Sequence, residues 1–169
     1  MEDKMQIRQA TTIQIRQAAT IHIRDIEKLL EQVLMVHHNG RPDLFKADTR
    51  KYSDTDLERI LQDPERPIFV AVDEQERVLG YAFCVYDIHP DDPILTDIRT
   101  LYIDDICVDE QHRREGIASQ LYEYVLQYAG RNGFERVTLN VWSCNPGAMK
   151  FYEHCGMVPY KVGMETILP

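Results

Sequence analysis

The chain has 169 residues, of which 44% are hydrophobic and 28% charged, a composition that excludes disordered, collagen-like and purely fibrous proteins. Its 28 acidic and 19 basic residues give a net charge of −9, which argues against nucleic-acid partners and against binding to anionic membranes. A chain of this length forms one domain with a core that needs no disulfide or metal.

The N-terminal region contains one short repeat, since the sequence QIRQA at residues 6–10 recurs at 14–18. Both copies alternate apolar and polar residues as a half-buried strand does. An apolar stripe at helical spacing follows the second copy, so we predict a strand over 13–18 and a helix over 20–38. The first copy is a strand extension, a competing register or a dispensable tail, and we assign residues 1–12 to an N-terminal extension or a duplicated strand segment.

The domain proper is expected over residues 13–169, and its middle part predicts a helix and a hairpin. Ser53 is a good N-cap for a short helix over 54–62. The apolar runs at 68–72 and 78–86 flank a polar stretch, which indicates a β-hairpin. A proline-rich, acidic loop follows the hairpin.

The C-terminal half alternates predicted strands and helices. A strand over 98–108 passes through a turn into a helix over 116–129, and another strand covers 137–142. Asn145, followed by proline, opens a last helix that closes at a glycine. The tail over 157–168 has the pattern of a strand. This order of elements predicts a mixed α/β fold in one domain.

Neither the four cysteines nor the pair of neighbouring histidines indicates a metal site. Adjacent helical residues such as His37 and His38 point about 100° apart, so we expect no metal site there. No apolar run approaches the ~20 residues of a membrane helix, and no secretory signal is visible. We therefore expect a cytoplasmic protein whose irregularly spaced cysteines are reduced: Cys84, Cys107, Cys144 and Cys155.

The turn between the strand at 98–108 and the next helix is the most informative segment. Arg113 and Arg114 precede the small residues Gly116 and Ala118, which let a ligand approach the amides at the helix N-terminus. Such an end with arginines suits a phosphate group. The alternative is a solvated loop with a tight turn. No Walker A or dinucleotide-binding glycine motif occurs, so these nucleotide-binding classes have no support.

Two segments resemble the signatures of the GCN5-related N-acetyltransferase (GNAT) superfamily. Residues 113–118 match its acyl-CoA motif Q/R-x-x-G-x-G/A, and residues 145–157 (NPGAMKFYEHCGM) look like its second signature. The order of predicted elements from residue 13 onward also fits. One departure is Arg114, where many members have a further glycine.

The resemblance implies a mixed, V-splayed sheet of about six to seven strands with about four helices. It also implies acetyl-CoA as cofactor and CoA as product, with pantetheine between the parted strands at 98–108 and 135–142. Strand backbone is expected to pair with pantetheine amides. The residues expected to bind the cofactor are Ile106, Cys107, Val108, Arg113, Arg114, Glu115, Gly116, Ile117, Ala118, Asn145 and Tyr152.

The resemblance also suggests catalytic residues for transfer to an amine, which needs a proton acceptor because an alkylammonium has a pKa near ~10.4. Asp104 is the first candidate base and Asp105 the second, on opposite faces of a regular strand. Edge-strand charges are an equally good explanation of either aspartate. Tyr152 is the candidate acid for the departing thiolate. A Cys107 nucleophile with His112 as base ranks below direct ternary-complex transfer.

The acceptor is expected to be a primary amine on a cationic small molecule or a peptide, because acids crowd residues 87–105. His38 and Phe45 are expected to line its pocket together with Asp104 and Asp105. The alternative function is a non-catalytic acyl-CoA-binding or regulatory module of the same fold. Dimerisation is common among such proteins, and an exposed C-terminal strand could support a homodimer.

Overall fold

A computed structural model describes residues 12–169, which form five strands and four helices around one sheet. The strands are β1 (Gln14–Gln17), β2 (Ile68–Val72), β3 (Val78–Asp87), β4 (Thr100–Val108) and β5 (Arg136–Leu139). The helices are α1 (Ile23–Gly40), α2 (Asp54–Gln62), α3 (Ile117–Arg131) and α4 (Pro146–His154). Short 3₁₀ turns precede α1 at Thr20–His22 and follow β4 at Glu110–His112.

The strands lie side by side in chain order, antiparallel from β1 to β4 and parallel between β4 and β5. The parallel pairing runs from Thr100 opposite Arg136 to Ile103 opposite Leu139 and stops there. Among the described residues, the second half of β4 therefore has a free edge on the side of β5. Backbone N–H and C=O groups along that edge are open to a ligand.

The sheet is covered by helices on both faces, and neighbouring residues of β2 show this directly. Val70 belongs to the core packed against α1 and α2, whereas Phe69 belongs to the core packed against α3. Because successive strand residues point to opposite faces, a central strand covered on both sides is apolar throughout. All five residues of β2 are buried accordingly.

The structure confirms the predicted helix α2 and the hairpin of β2 and β3. Ser53 caps α2: its side-chain oxygen accepts a hydrogen bond from the Asp56 amide at 3.1 Å, and the Asp56 carboxylate accepts the Ser53 amide at 3.0 Å. This reciprocal cap satisfies two amides that the helix cannot. The mixed α/β class is confirmed as well.

The prediction of a C-terminal strand over 157–168 is wrong, and the sheet has five strands instead of six to seven. The tail has no regular secondary structure, and Val158 and Val162 are each more than three-quarters exposed. An alternating apolar pattern makes a strand only when a neighbouring edge pairs with it. The tail is instead held by side chains: Arg41 pairs with Glu165 at 2.6 Å, and Arg136 lies over the Tyr160 ring.

Two elements end at residues other than those predicted. Strand β5 ends at Leu139, short of the predicted residue 142, and α1 continues to Gly40. The first copy of the QIRQA repeat, residues 6–10, lies outside the described residues. No helix in the described part of the chain combines the length and apolarity needed to cross a membrane.

Candidate active site

A bulge in β4 determines where the two adjacent aspartates lie. Phe83 of β3 faces Asp105, and Cys84 faces Ile103, so Asp104 has no partner on β3. Both carboxylates then contact side chains on the α1 and α2 side of the sheet. The prediction that they point to opposite faces is wrong, because the two-residue period holds only in a regular strand and a bulge interrupts it.

Asp105 is held by a buried tyrosine. The hydroxyl of Tyr81, a fully buried residue, donates to Asp105 Oδ2 at 2.7 Å. Burial raises the pKa of the Asp105 carboxyl, and the hydrogen bond from Tyr81 and the charge of Lys51 oppose this shift without cancelling it. Asp105 is therefore a better proton acceptor than an ordinary aspartate.

Asp104 is held by the segment that leads into α2. Lys51 Nζ lies 2.8 Å from Asp104 Oδ2, and the Tyr52 hydroxyl donates to the same oxygen at 3.3 Å. The Tyr52 ring stacks on Phe83 with centroids 5.8 Å apart. We call this group the acid pocket; it comprises Lys51, Tyr52, Tyr81, Asp104 and Asp105.

Tyr152 lies on α4 and packs against Phe151 and Tyr122. Burial raises its pKa, and the charge of Asp105 adds to the shift, so the hydroxyl is protonated at neutral pH and lies within electrostatic reach of the acid pocket. Within residues 12–169, no side chain hydrogen-bonds this hydroxyl. Its proton therefore has no side-chain acceptor in this part of the chain.

The free edge of β4 contains the backbone expected to pair with pantetheine. Ile106 and Val108 are half-buried toward the α3 side, and Cys107 is buried toward α1. The Cys107 thiol lies 3.5 Å from the Leu29 carbonyl, and burial raises its pKa to about 12. His112 contacts Glu115 instead of this thiol. The geometry does not favour a cysteine nucleophile.

The turn over residues 109–116 leads from β4 into α3, and its backbone is open to a ligand. Gly116 caps α3 with φ at 78° and offers no side chain, so the first amides of the helix have no side-chain partner. A Cβ placed on Gly116 would meet nothing within 4 Å. Arg113 and Arg114 are exposed beside it, and Arg114 has φ at 67°, the left-handed region that glycine favours.

Two further side chains shape the ends of this site. Gln32 of α1 holds the turn, because its side-chain oxygen accepts the Glu110 amide at 3.1 Å. Asn145 caps α4 by accepting the Ala148 amide at 3.2 Å. Sequence reasoning found Asn145 from its position before a proline, but nothing local to Gln32 marks its contact 78 residues away.

An aromatic group lies near the acid pocket, since the charges of Asp105 and Lys51 both affect the pKa of His37. The Phe45 ring lies 5.0 Å from His37 and 5.1 Å from Trp142, centroid to centroid. His38 Nδ1 contacts the Phe45 carbonyl at 2.7 Å, so it fixes the loop rather than facing the carboxylates. Burial lowers the pKa of His37, while the charge of Asp105 opposes that shift. The prediction missed His37 and Trp142.

The structure separates the acidic loop from the acid pocket. Asp87 pairs with Thr100 at the start of β4, four residues before Asp104, and its carboxylate contacts His89 at 2.6 Å. Asp92 accepts the amides of Ile94 and Leu95 within its own turn. Of the acids predicted to border the acceptor, the bulge brings together Asp104 and Asp105.

The chain is similar to known acetyltransferases in sequence. N-acetyltransferase 8 of Homo sapiens is 35% identical over 88 residues, 52% of this chain and 37% of that protein. N-alpha-acetyltransferase 30 of Schizosaccharomyces pombe is 32% identical over 93 residues, 55% of this chain and 58% of that protein. The matched segments thus cover less than two thirds of these curated relatives.

The fold is also shared with solved structures. A mutant of the BH1408 protein from Bacillus halodurans superposes with a TM-score of 0.88 at 28% identity, covering 92% of this chain and 99% of that one. Aminoglycoside N-acetyltransferase AAC(6')-Iy, solved in complex with CoA, has a TM-score of 0.68 at 17% identity, covering 96% and 98% of the two chains. The latter likeness concerns the fold alone.

The profile described as "Acetyltransferase (GNAT) family" matches residues 33–157, a span that includes the acid pocket, the turn before α3 and Tyr152. The chain belongs to the GNAT acetyltransferase family.

Proposed function

We propose that this protein is an acetyl-CoA-dependent N-acetyltransferase that acylates a primary amine by direct transfer in a ternary complex. The observation that carries the proposal is the β4 bulge, which places two carboxylates beside the point where β4 and β5 part. Family membership supports acyl transfer, and the bulge supports an amine as the acceptor, because an ammonium must lose a proton before it can attack.

The residues of the cleft fit the cofactor. The free backbone edge over residues 106–108 suits the pantetheine amides, and the uncapped start of α3 beside Arg113 and Arg114 suits the diphosphate. Glu115, Ile117 and Ala118 would contribute backbone there, and Asn145 would support the adjoining loop. When bound, acetyl-CoA supplies an acetyl group activated as a thioester.

The proton of the acceptor ammonium would pass to the acid pocket. Asp105 is the better base, because burial raises the pKa of its carboxyl and Tyr81 fixes its orientation. Asp104, which is 26% exposed and paired with Lys51, would receive the ammonium first. This assignment reverses the order proposed from sequence, and the reason is the environment that the bulge creates for each carboxylate.

Two further roles, polarising the thioester carbonyl and protonating the departing sulfur, would belong to groups outside the acid pocket. A backbone N–H near Val108 would polarise the carbonyl under attack. The Tyr152 hydroxyl would hold the proton for the departing sulfur, since its raised pKa keeps it protonated at neutral pH. Neither the backbone N–H nor the Tyr152 hydroxyl has to gain or lose a proton before the reaction.

The acceptor we propose is a cationic small molecule or a peptide amine. The names of N-alpha-acetyltransferase 30 and of the aminoglycoside N-acetyltransferase fit both classes. We place the protein in the cytoplasm, which suits its four free cysteines.

The test is a screen for CoA release with polyamines, aminoglycosides, amino acids and peptide N-termini, together with calorimetry of acetyl-CoA binding. We expect binding of acetyl-CoA and release of CoA with at least one cationic amine. Tyr152→Phe should lower kcat, whereas the control Tyr160→Phe in the exposed tail should not. Binding without transfer to any amine would indicate the non-catalytic module, and no binding would contradict both functions.

A further inference from the structure

Lys51 places a cation of the protein itself on the acid pocket. It belongs to the loop over residues 41–53, between α1 and α2, and reaches across to β4. Its Nζ lies 2.8 Å from Asp104 Oδ2 and 5.3 Å from the centre of the Tyr52 ring. A primary ammonium thus already sits where the proposed function requires the acceptor's ammonium.

The two carboxylates differ in their partners. The Asp104 side chain is 26% exposed and that of Lys51 is 40% exposed, so their contact lies at the mouth of the pocket. Asp105 is hydrogen-bonded to the fully buried Tyr81. An amine that binds at Asp104 therefore has to take the place that Lys51 holds there.

Lys51 is charged when the pocket is empty of acceptor. Burial by itself would lower the pKa of its ammonium, but the hydrogen bond and charge of Asp104 outweigh burial and raise the pKa. The positive charge cancels one of the two negative charges of the acid pocket. The attraction of the pocket for a cation is accordingly weaker than the two aspartates alone would give.

We propose that Lys51 is an internal competitor for the acceptor's ammonium, which must displace it from Asp104, and that Lys51 thereby sets acceptor selectivity. This inference rests on the proposed function. Exchanging one ammonium for another at the same carboxylate gains little free energy, because the Coulomb terms nearly cancel. An acceptor therefore needs a contact beyond its ammonium to displace Lys51 from Asp104.

The aromatic group beside the pocket supplies that contact. His37 links the aromatic group to the acid pocket: its ring packs on Phe45, and the charges of Asp105 and Lys51 both affect its pKa. Trp142, which is 43% exposed, packs edge-on against Phe45. The acceptors favoured over simple alkylamines are those whose ammonium is attached to a planar or apolar body that packs on these rings.

The experiment measures binding of 2-phenylethylamine by NMR titration at pH 7 in the absence of acetyl-CoA. Lys51→Met keeps the length of the side chain and removes its charge. We expect the Kd to fall about fivefold, which corresponds to about 1 kcal/mol, the upper end of what exposed ion pairs contribute. Lys51→Arg, which keeps the charge, should stay within about twofold of the unmodified protein.

Three controls isolate the competition. Lys46→Met removes a charge from the same loop and should leave the Kd unchanged, because Lys46 forms no ion pair within residues 12–169. Asp104→Asn combined with Lys51→Met should abolish the gain. The neutral analogue 3-phenylpropan-1-ol should not gain from Lys51→Met.

An unchanged or weaker affinity of Lys51→Met for the amine would overturn the inference, as would an equal gain for the neutral analogue or no binding to either protein. The proposed function is judged separately by CoA release. A protein that releases CoA with an amine but shows no gain with Lys51→Met would keep its function and lose this inference.

Discussion

The acid pocket and the turn before α3, which we propose to serve the acceptor and the cofactor phosphates, are built in different ways. The pocket joins residues far apart in sequence, since Tyr81 is 24 residues from Asp105 and Lys51 is 53 residues from Asp104. The turn consists of consecutive residues, 109–116. The groups that we propose to face the phosphates are backbone amides and exposed arginines.

This difference predicts two kinds of effect. Charges in the pocket are paired and partly buried, so changes there act through proton affinity and through kcat. The arginines of the turn are exposed, so changes there act through affinity for the phosphates and depend on salt. Four variants test this division.

The largest effect is expected for Asp105→Asn, which removes the proposed base. We expect kcat to fall about 10²- to 10⁴-fold with little change in the KM for acetyl-CoA. Asp97→Asn, in the exposed acidic loop, is the matched control and should keep its activity. Steady-state CoA release measures both variants, and a loss below about threefold in Asp105→Asn would remove it from the role of base.

Tyr81→Phe should shift the pH dependence without removing the base. The Tyr81 hydroxyl donates to the charged carboxylate and so holds the pKa of Asp105 below the value that burial alone would give. Losing the donor raises that pKa, and the acid limb of the kcat/KM profile moves to higher pH. Activity at pH 6 falls more than activity at pH 8. A uniform loss across the pH range would indicate a structural role instead.

Arg113→Ala should raise the KM for acetyl-CoA about fivefold at low salt and leave kcat nearly unchanged, because an exposed charge contributes about 1 kcal/mol to phosphate binding. The difference from the unmodified protein should shrink as ionic strength rises. Arg24→Ala, which is exposed on α1, is the control. An effect on kcat instead of KM would contradict the division between pocket and turn.

Arg114→Gly should give the smallest effect, a gain in stability. Arg114 has φ at 67°, which costs a non-glycine residue about 1–2 kcal/mol. Part of that gain is offset by the freedom that glycine has in the unfolded chain, so we expect a net stabilisation of about 0.5 kcal/mol. Thermal unfolding should show a Tm increase of about 1–2 °C. A lower Tm would mean that the arginine side chain stabilises the turn.

The elements that were predicted well have local causes. Ser53 and Asp56 mark the start of α2, and the apolar runs of β2 and β3 are long enough to indicate a hairpin. The tail over 157–168 has a similar alternating pattern, yet no strand forms because no edge within residues 12–169 pairs with it. An alternating pattern shows that a segment can form a strand, but the strand forms only when a neighbouring strand edge pairs with it.

The candidate site likewise contains residues that the sequence predicts locally and residues that only the fold brings into place. Consecutive residues in the sequence were enough to suggest the turn with Arg113 and Gly116, and the segment around Tyr152. The bulge at Asp104 was not predictable, because it depends on the register between β3 and β4. Lys51 and Tyr81 carry no local signal, since each reaches the pocket only through the folded sheet.

The sequence by itself determined the family resemblance, the order of most elements and the turn that suits a phosphate, because each depends on neighbouring residues. Only the tertiary structure decided that both aspartates share one face, that burial raises the pKa of the Asp105 carboxyl and that Lys51 pairs with Asp104. Proton affinity and competition between charges depend on burial and on distances of a few ångströms. Contacts between distant segments determine that burial and those distances, and therefore the proton affinity and the competition.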